Sequence, residues 1–141
     1  MWLGLSYIHR LTVSENMELH VYLEDFDNVQ VYAAYSIFNI GDSSDRYRLL
    51  VDGYSGNAGD SLTRHSGQMF TTYDNDNDGY GSVNCAITYY GGWWYDACHS
   101  SNLNGLYYQG YHSSYATGIN WREFRGYHDS MKTVHLKLRA V

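Results

Sequence analysis

MELHVYLEDFDNVQVYAAYSIF, residues 17–38, decides the fold by its alternation. Met17, Leu19, Val21 and Leu23 fall on one side of an extended chain and Glu18, His20, Tyr22 and Glu24 on the other, the period-two pattern of a strand with one wet face. DFDN at 25–28 reads as a turn, after which Val29, Val31, Ala33, Tyr35 and Ile37 resume the alternation. Two such runs joined by a short turn predict an antiparallel hairpin. RYRLLVDGY at 46–54, through Tyr47, Leu49 and Val51, and TVHLKLRAV at 133–141, through Val134, Leu136 and Leu138, supply two more strands for the same sheet. Helical signals are short: residues 3–11 would bury Leu3, Tyr7, Ile8 and Leu11, and Asp60 would cap a turn through Leu62.

Between Gly53 and Met131 periodicity fades, and Gly, Asn, Ser, Asp and aromatic residues dominate. Loops of such length are functional or disordered. With 16 Tyr and 4 Trp in 141 residues, the chain has enough apolar surface to pack this region as a loop-built subdomain of a single domain. The net charge of -6 and the absence of a basic run exclude nucleic acid as a partner. No apolar run is long enough for membrane insertion, and MWLGLSYIHR lacks the basic leader of a secretion signal. Cys85 and Cys98 can form a bridge, a redox couple or two metal ligands. The absence of C-x-x-C spacing and the tyrosine-rich, lysine-poor composition favour a disulfide, whose short loop contributes about 3 kcal/mol.

YDNDNDGYGSVNC, residues 73–85, sets Asp74, Asp76 and Asp78 at every second position. Carboxylates so crowded repel one another unless a cation sits among them or they splay into water. Hard oxygen ligands select calcium. Asp74, Asp76, Asp78 and Gly79 match the first half of an EF-hand loop, but the twelfth position is Cys85 and no amphipathic helix flanks it, so that reading fails. A calcium loop of another kind remains, completed by carbonyls that Gly79 and Gly81 free and by water; the alternative is a solvated polar turn.

TTYDNDND, then NCA at 84–86, GGWWYDACHSSNLNGLYYQG at 91–110, GINW at 118–121 and SMKTVHLKLR at 130–139 resemble the fibrinogen C-terminal, or fibrinogen-related, domain. The resemblance starts at WLG, residues 2–4, and runs through LEDF and GYSGNAGDSLTRHSGQMF to the end, without the family's N-terminal subdomain and its cysteine pair. It implies an α+β fold, mainly antiparallel sheet with short helices. Residues 1–55 and 130–141 would form the central sheet and 56–129 a loop-rich subdomain stabilised by calcium and the disulfide. It implies Ca2+ bound by the side chains of Asp76 and Asp78 and by two main-chain carbonyls. Counting forward from the aspartates these are Tyr80 and Ser82, the expected pair; counting back from Cys85 they are Gly81 and Val83, because the chain carries one extra residue in between.

The ligand-binding residues follow from the same resemblance, closest to the tachylectins and ficolins. A cis peptide between Ala97 and Cys98 would aim main-chain N–H groups at an acetyl carbonyl, His99 would follow it, and Tyr89, Tyr115 and Tyr127 would surround the acetyl methyl. Trp93 and Trp94 read as core, the remaining histidines as surface residues. A pocket for a cationic peptide terminus, as in fibrinogen itself, needs carboxylates where this chain has Tyr89 and Ala116. No catalytic constellation is recognisable, so an enzyme is not expected. The expected function is that of a secreted, extracellular, calcium-dependent lectin of innate immunity binding N-acetylated glycans on microbial or cell surfaces. It would act as a homo-oligomer because single glycan sites are weak. The alternative is a module that recognises a receptor or peptide.

Overall fold

The computed structural model describes residues 2–141. Strands β1 (Met17–Glu24), β2 (Gln30–Ile40), β3 (Leu49–Gly56) and β4 (Thr133–Ala140) form one antiparallel sheet in the order β3-β2-β1-β4. The predicted hairpin is closed by Asp25. Its carboxylate accepts the N–H groups of Asp27 and Val29, each at 2.9 Å, and Asn28 takes the left-handed conformation at φ 63°. Val29 thus belongs to the turn, not to the strand.

The alternation along β2 breaks once. Leu19 pairs with Tyr35 but Met17 with Phe38, leaving Glu18 opposite both Ser36 and Ile37. This bulge reverses the phase, so Phe38 and Ile40 enter the core while Ile37, expected inside, faces water. Leu19, Val21, Leu23, Ala33, Tyr35, Leu49 and Val51 complete the buried face.

Helix α1 (Leu5–Ser14) packs on β2 through Ile8 and Thr12. It starts later than the sequence suggests, and Leu3 and Tyr7, expected buried, are about half exposed. Hydrogen bonds fix it to the end of β2: His9 Nδ1 donates to the Ile40 carbonyl at 2.8 Å, and Ile40 N–H donates to Thr12 Oγ1 at 3.3 Å. β4 pairs only with β1 among the described residues, and its other edge is unpaired. Beside it Trp2, Leu3, Leu11, Val134, Leu136 and Leu138 line an apolar groove of about 520 Å³. No helix of the described residues is long and apolar enough to cross a membrane.

The loop region stands on the sheet through buried aromatic rings and side-chain hydrogen bonds to backbone. Trp93, Tyr95, Trp121 and Met131 are almost wholly buried, and Trp94 packs edge-on to Trp93, as expected of core residues. Trp121 Nε1 donates to the Gly59 carbonyl at 2.9 Å and Trp94 Nε1 to that of Tyr47 at 2.7 Å. Asp60 does cap its turn, accepting the N–H groups of Leu62 and Thr63 and the hydroxyl of Tyr35 at 2.8 Å. The buried Asn102 ties three loops together. Its amide donates to the carbonyls of Tyr89 and Gly118, each at 3.1 Å, and its oxygen accepts the hydroxyl of Tyr95. Gly105 is required nearby, since a Cβ there would lie 2.3 Å from the Gly118 carbonyl oxygen.

Candidate functional site

The acidic bend and the short helix α2 (Cys85–Tyr89) are one unit. Asn84 caps α2 by accepting the N–H groups of Ala86 and Ile87, while its amide donates to the carbonyls of Thr72 and Tyr73 at the start of the bend. Asn77 pins the middle, donating from its side chain to Phe70 O at 3.0 Å and from its backbone to Thr71 Oγ1 at 2.9 Å.

The three aspartates do not act alike. Asp74 turns to Thr72, whose hydroxyl it accepts at 2.6 Å. Asp78 accepts the N–H groups of Tyr80 at 2.9 Å and Cys85 at 2.8 Å, and Asp76 accepts that of Asp78 at 3.3 Å. Burial pushes the Asp78 carboxyl above its ordinary value, the two N–H groups pull it back, and the adjacent Asp76 pushes it up further.

Among the described residues no three His, Cys, Asp or Glu side chains converge on a metal position, so Asp76 and Asp78 stand as a pair. None of the carbonyls of Tyr80, Gly81, Ser82 and Val83 accepts a hydrogen bond from a described residue. Two carboxylates beside free carbonyl oxygens form a donor set that fits a hard cation such as calcium. Both candidate carbonyl pairs are equally free.

From α2 the chain reaches the second cysteine through the disulfide Cys85–Cys98, with Cα atoms 5.7 Å apart. The Ala97–Cys98 peptide is cis. The N–H groups of Cys98 and His99 meet no acceptor among the described residues. His99 donates from Nε2 to the Ala116 carbonyl at 2.9 Å, and Tyr127 donates its hydroxyl to the His99 carbonyl at 2.8 Å. Burial pushes His99 down to about 4, so the ring is neutral at physiological pH and its buried Nδ1 is an acceptor without a partner.

Tyr89 meets His99 edge-on at 5.1 Å between ring centroids, and Tyr115 meets Tyr127 at 5.1 Å. All six ligand-binding residues named from the sequence, Tyr89, Ala97, Cys98, His99, Tyr115 and Tyr127, line one cavity of about 110 Å³. Arg64 and Ala116 complete the lining. No carboxylate does, and Arg64 is engaged with Asp96 at 3.4 Å and Ser100 at 3.2 Å.

Two histidines correct the expectation of surface placement. His65 is fully buried beneath the cavity loop, donating from Nδ1 to the Trp94 carbonyl at 2.8 Å and accepting at Nε2 the N–H groups of Ser100 and Ser101. His112 is also buried, against Tyr108. Neither His65 nor Arg64 was singled out from the sequence. Both belong to a single 3-10 turn, Thr63–His65, distant in the chain from the cysteines and free of any pattern that separates it from an exposed loop.

A four-stranded antiparallel sheet carrying a long loop subdomain, clamped by one disulfide and opening in an aromatic cavity, defines a fibrinogen-like globe. The chain belongs to the family described as fibrinogen beta and gamma chains, C-terminal globular domain, which matches residues 1–141. It is 50% identical over 145 residues to "Fibrinogen C domain-containing protein 1" of Macaca fascicularis, covering 99% of this chain and 33% of that protein. To "Ryncolin-4" of Cerberus rynchops it is 47% identical over 139 residues, covering 98% of this chain and 40% of that protein. The chain thus spans about a third of the length of such relatives.

Its backbone superimposes on the fibrinogen-like globe domain of human ANGPTL2 with a TM-score of 0.96 at 46% identity, over 99% of this chain and 65% of that one. It is similar to lamprey fibrin D-dimer, solved with a Gly-His-Arg-Pro-amide peptide ligand, at a TM-score of 0.89 and 34% identity over 97% of this chain and 49% of that one. Domains of this family are binding modules, not enzymes.

Proposed function

We propose that this domain recognises N-acetylated glycans. The acetamido group enters the cavity, its methyl against Tyr89, Tyr115 and Tyr127 and its carbonyl oxygen within reach of the free N–H groups of Cys98 and His99. The observation that carries this reading is the convergence of three tyrosines, a neutral histidine and two unused backbone donors on a cavity without a carboxylate. Such a lining suits a small neutral group that is apolar on one side and an acceptor on the other.

Asp76, Asp78 and the carbonyls of Tyr80 and Ser82 would hold calcium, whose positive charge would fix the bend without touching sugar. The bend reaches the cavity through the Asp78–Cys85 hydrogen bond and the Cys85–Cys98 disulfide. In this reading the protein is a secreted, oligomeric pattern-recognition module of innate immunity, multivalency raising the avidity of weak single sites.

A peptide or receptor ligand is the second reading, favoured by the family neighbour that carries a peptide. A cationic chain terminus, however, would find no counter-charge among the cavity's lining residues. Competition with N-acetylglucosamine against glucose, in calcium and in chelator, separates the two. Selective displacement by the acetylated sugar that chelator abolishes is the expected result; displacement by neither sugar promotes the protein ligand.

A further inference from the structure

A cavity of about 110 Å³ is far smaller than pockets that enclose a whole small ligand, roughly 300 Å³ and above. It admits an acetamido group and leaves the pyranose that bears it, with whatever is attached, lying on the protein surface. On one side that surface continues as a run of aromatic rings. Tyr115, 57% exposed at the cavity mouth, stands 5.9 Å from His128 between ring centroids. Beyond it Tyr111, 77% exposed, stacks on His128 at 6.2 Å with the planes 27° apart.

These rings are held in place. His128 Nδ1 donates to the His112 carbonyl at 3.0 Å, and His112 N–H donates to the His128 carbonyl at 2.8 Å. Tyr111 is bridged through its backbone to Asp129. Exposed tyrosines are common in a chain with sixteen of them, and Tyr73 and Tyr90 are also largely bare. Tyr111 differs from these in its continuous ring-to-ring path to the cavity and in the paired backbone beneath it.

We infer that Tyr115, His128 and Tyr111 form a second sugar subsite, on which the pyranose adjoining the acetylated residue stacks its C–H face. The inference rests on the reading of the cavity as an acetamido site and adds a length preference to it: the domain selects acetylated oligosaccharides over the monosaccharide. The second residue is neutral, since the platform holds no Lys or Arg and Asp129 lies across the backbone bridge from Tyr111.

Calorimetric titration of the 141-residue chain in calcium tests this with N-acetylglucosamine and its β-1,4-linked disaccharide, which places a neighbouring ring on an acetylated residue whichever of the two enters. Stacking on two rings predicts a disaccharide bound roughly tenfold tighter, beyond the roughly twofold that two acetamido groups give by statistics. Tyr111→Ala, at a position too exposed to endanger the fold, is expected to erase the gain and leave monosaccharide affinity and Tm unchanged, with His128→Ala as the second variant. A wild-type gain no larger than the statistical one, or an unaltered disaccharide affinity in Tyr111→Ala, overturns the subsite alone. Failure to bind either sugar overturns the acetamido reading and the subsite with it.

Discussion

The carboxylate of Asp78 accepts the backbone N–H of Cys85 at 2.8 Å, joining the acidic bend to the first residue of the disulfide. Asp78 also accepts from Tyr80, whereas Asp76 reaches no further than the Asp78 N–H. The two aspartates proposed to hold calcium therefore carry different structural burdens.

Both Asp76→Asn and Asp78→Ala are expected to abolish calcium binding and, with it, sugar binding. In chelator the variants part. Asp78→Ala strands two N–H groups, one on a buried cysteine, and loses about 1.5–3 kcal/mol relative to wild type. Asp76→Asn removes like-charge repulsion and leaves Tm equal or higher. Thermal melts of wild type and variants, with and without calcium, check this; equal losses for the two positions in chelator would refute the division of roles.

Tyr115→Ala separates recognition from architecture. The ring is mostly exposed and meets Tyr89, Tyr127 and His128 only through ring faces and edges, so calcium affinity and Tm are expected to stay put. N-acetylglucosamine affinity should fall about tenfold. Parallel calcium and sugar titrations give the answer.

The sheet and the cavity were legible in the sequence to different depths. The hairpin was readable because β1 keeps one wet face, so alternation survives. The bulge at Ser36 and Ile37 was not, because an extra residue shows only against its partner Glu18 on the neighbouring strand. The cavity residues were found through resemblance, not chemistry: nothing in their spacing alone brings Tyr89 to Tyr127. His65 escaped notice because a histidine buried by backbone hydrogen bonds carries no local mark that distinguishes it from a solvated one. Asn102 was hidden in the same way, since its partners come from segments up to sixteen residues away.

Acid should loosen the site before it protonates Asp25 and Asp60. Burial holds His65 and His99 at about 4 in the folded chain, against 6.5 as the ordinary value. The unfolded chain therefore binds these protons first. Their contribution is complete above about pH 6.5 and is lost as pH falls from there toward 4, up to roughly 3 kcal/mol for each ring. Asp25 and Asp60, both held below 3.8, contribute a separate loss at lower pH. Urea unfolding between pH 7 and 4.5 checks the first window; a flat profile there contradicts the burial of both rings.

Asn102→Ala is expected to cost about 3 kcal/mol, because it leaves the carbonyls of Tyr89 and Gly118 and the hydroxyl of Tyr95 without a partner in a buried setting. Sugar binding should weaken with stability, unlike the Tyr115→Ala variant. Chemical denaturation with a parallel binding titration distinguishes them.

Among the described residues the outer side of β4 is unpaired, which gives this chain an adhesive flank. Main-chain N–H and C=O groups there are ready to zip onto another extended segment, and Leu136, Trp2 and Leu3 sit in water alongside. Handled alone, this chain should therefore self-associate as it is concentrated, and Leu136→Lys should postpone that crowding while the proposed sugar cavity, to which β4 contributes no lining residue, keeps its affinity.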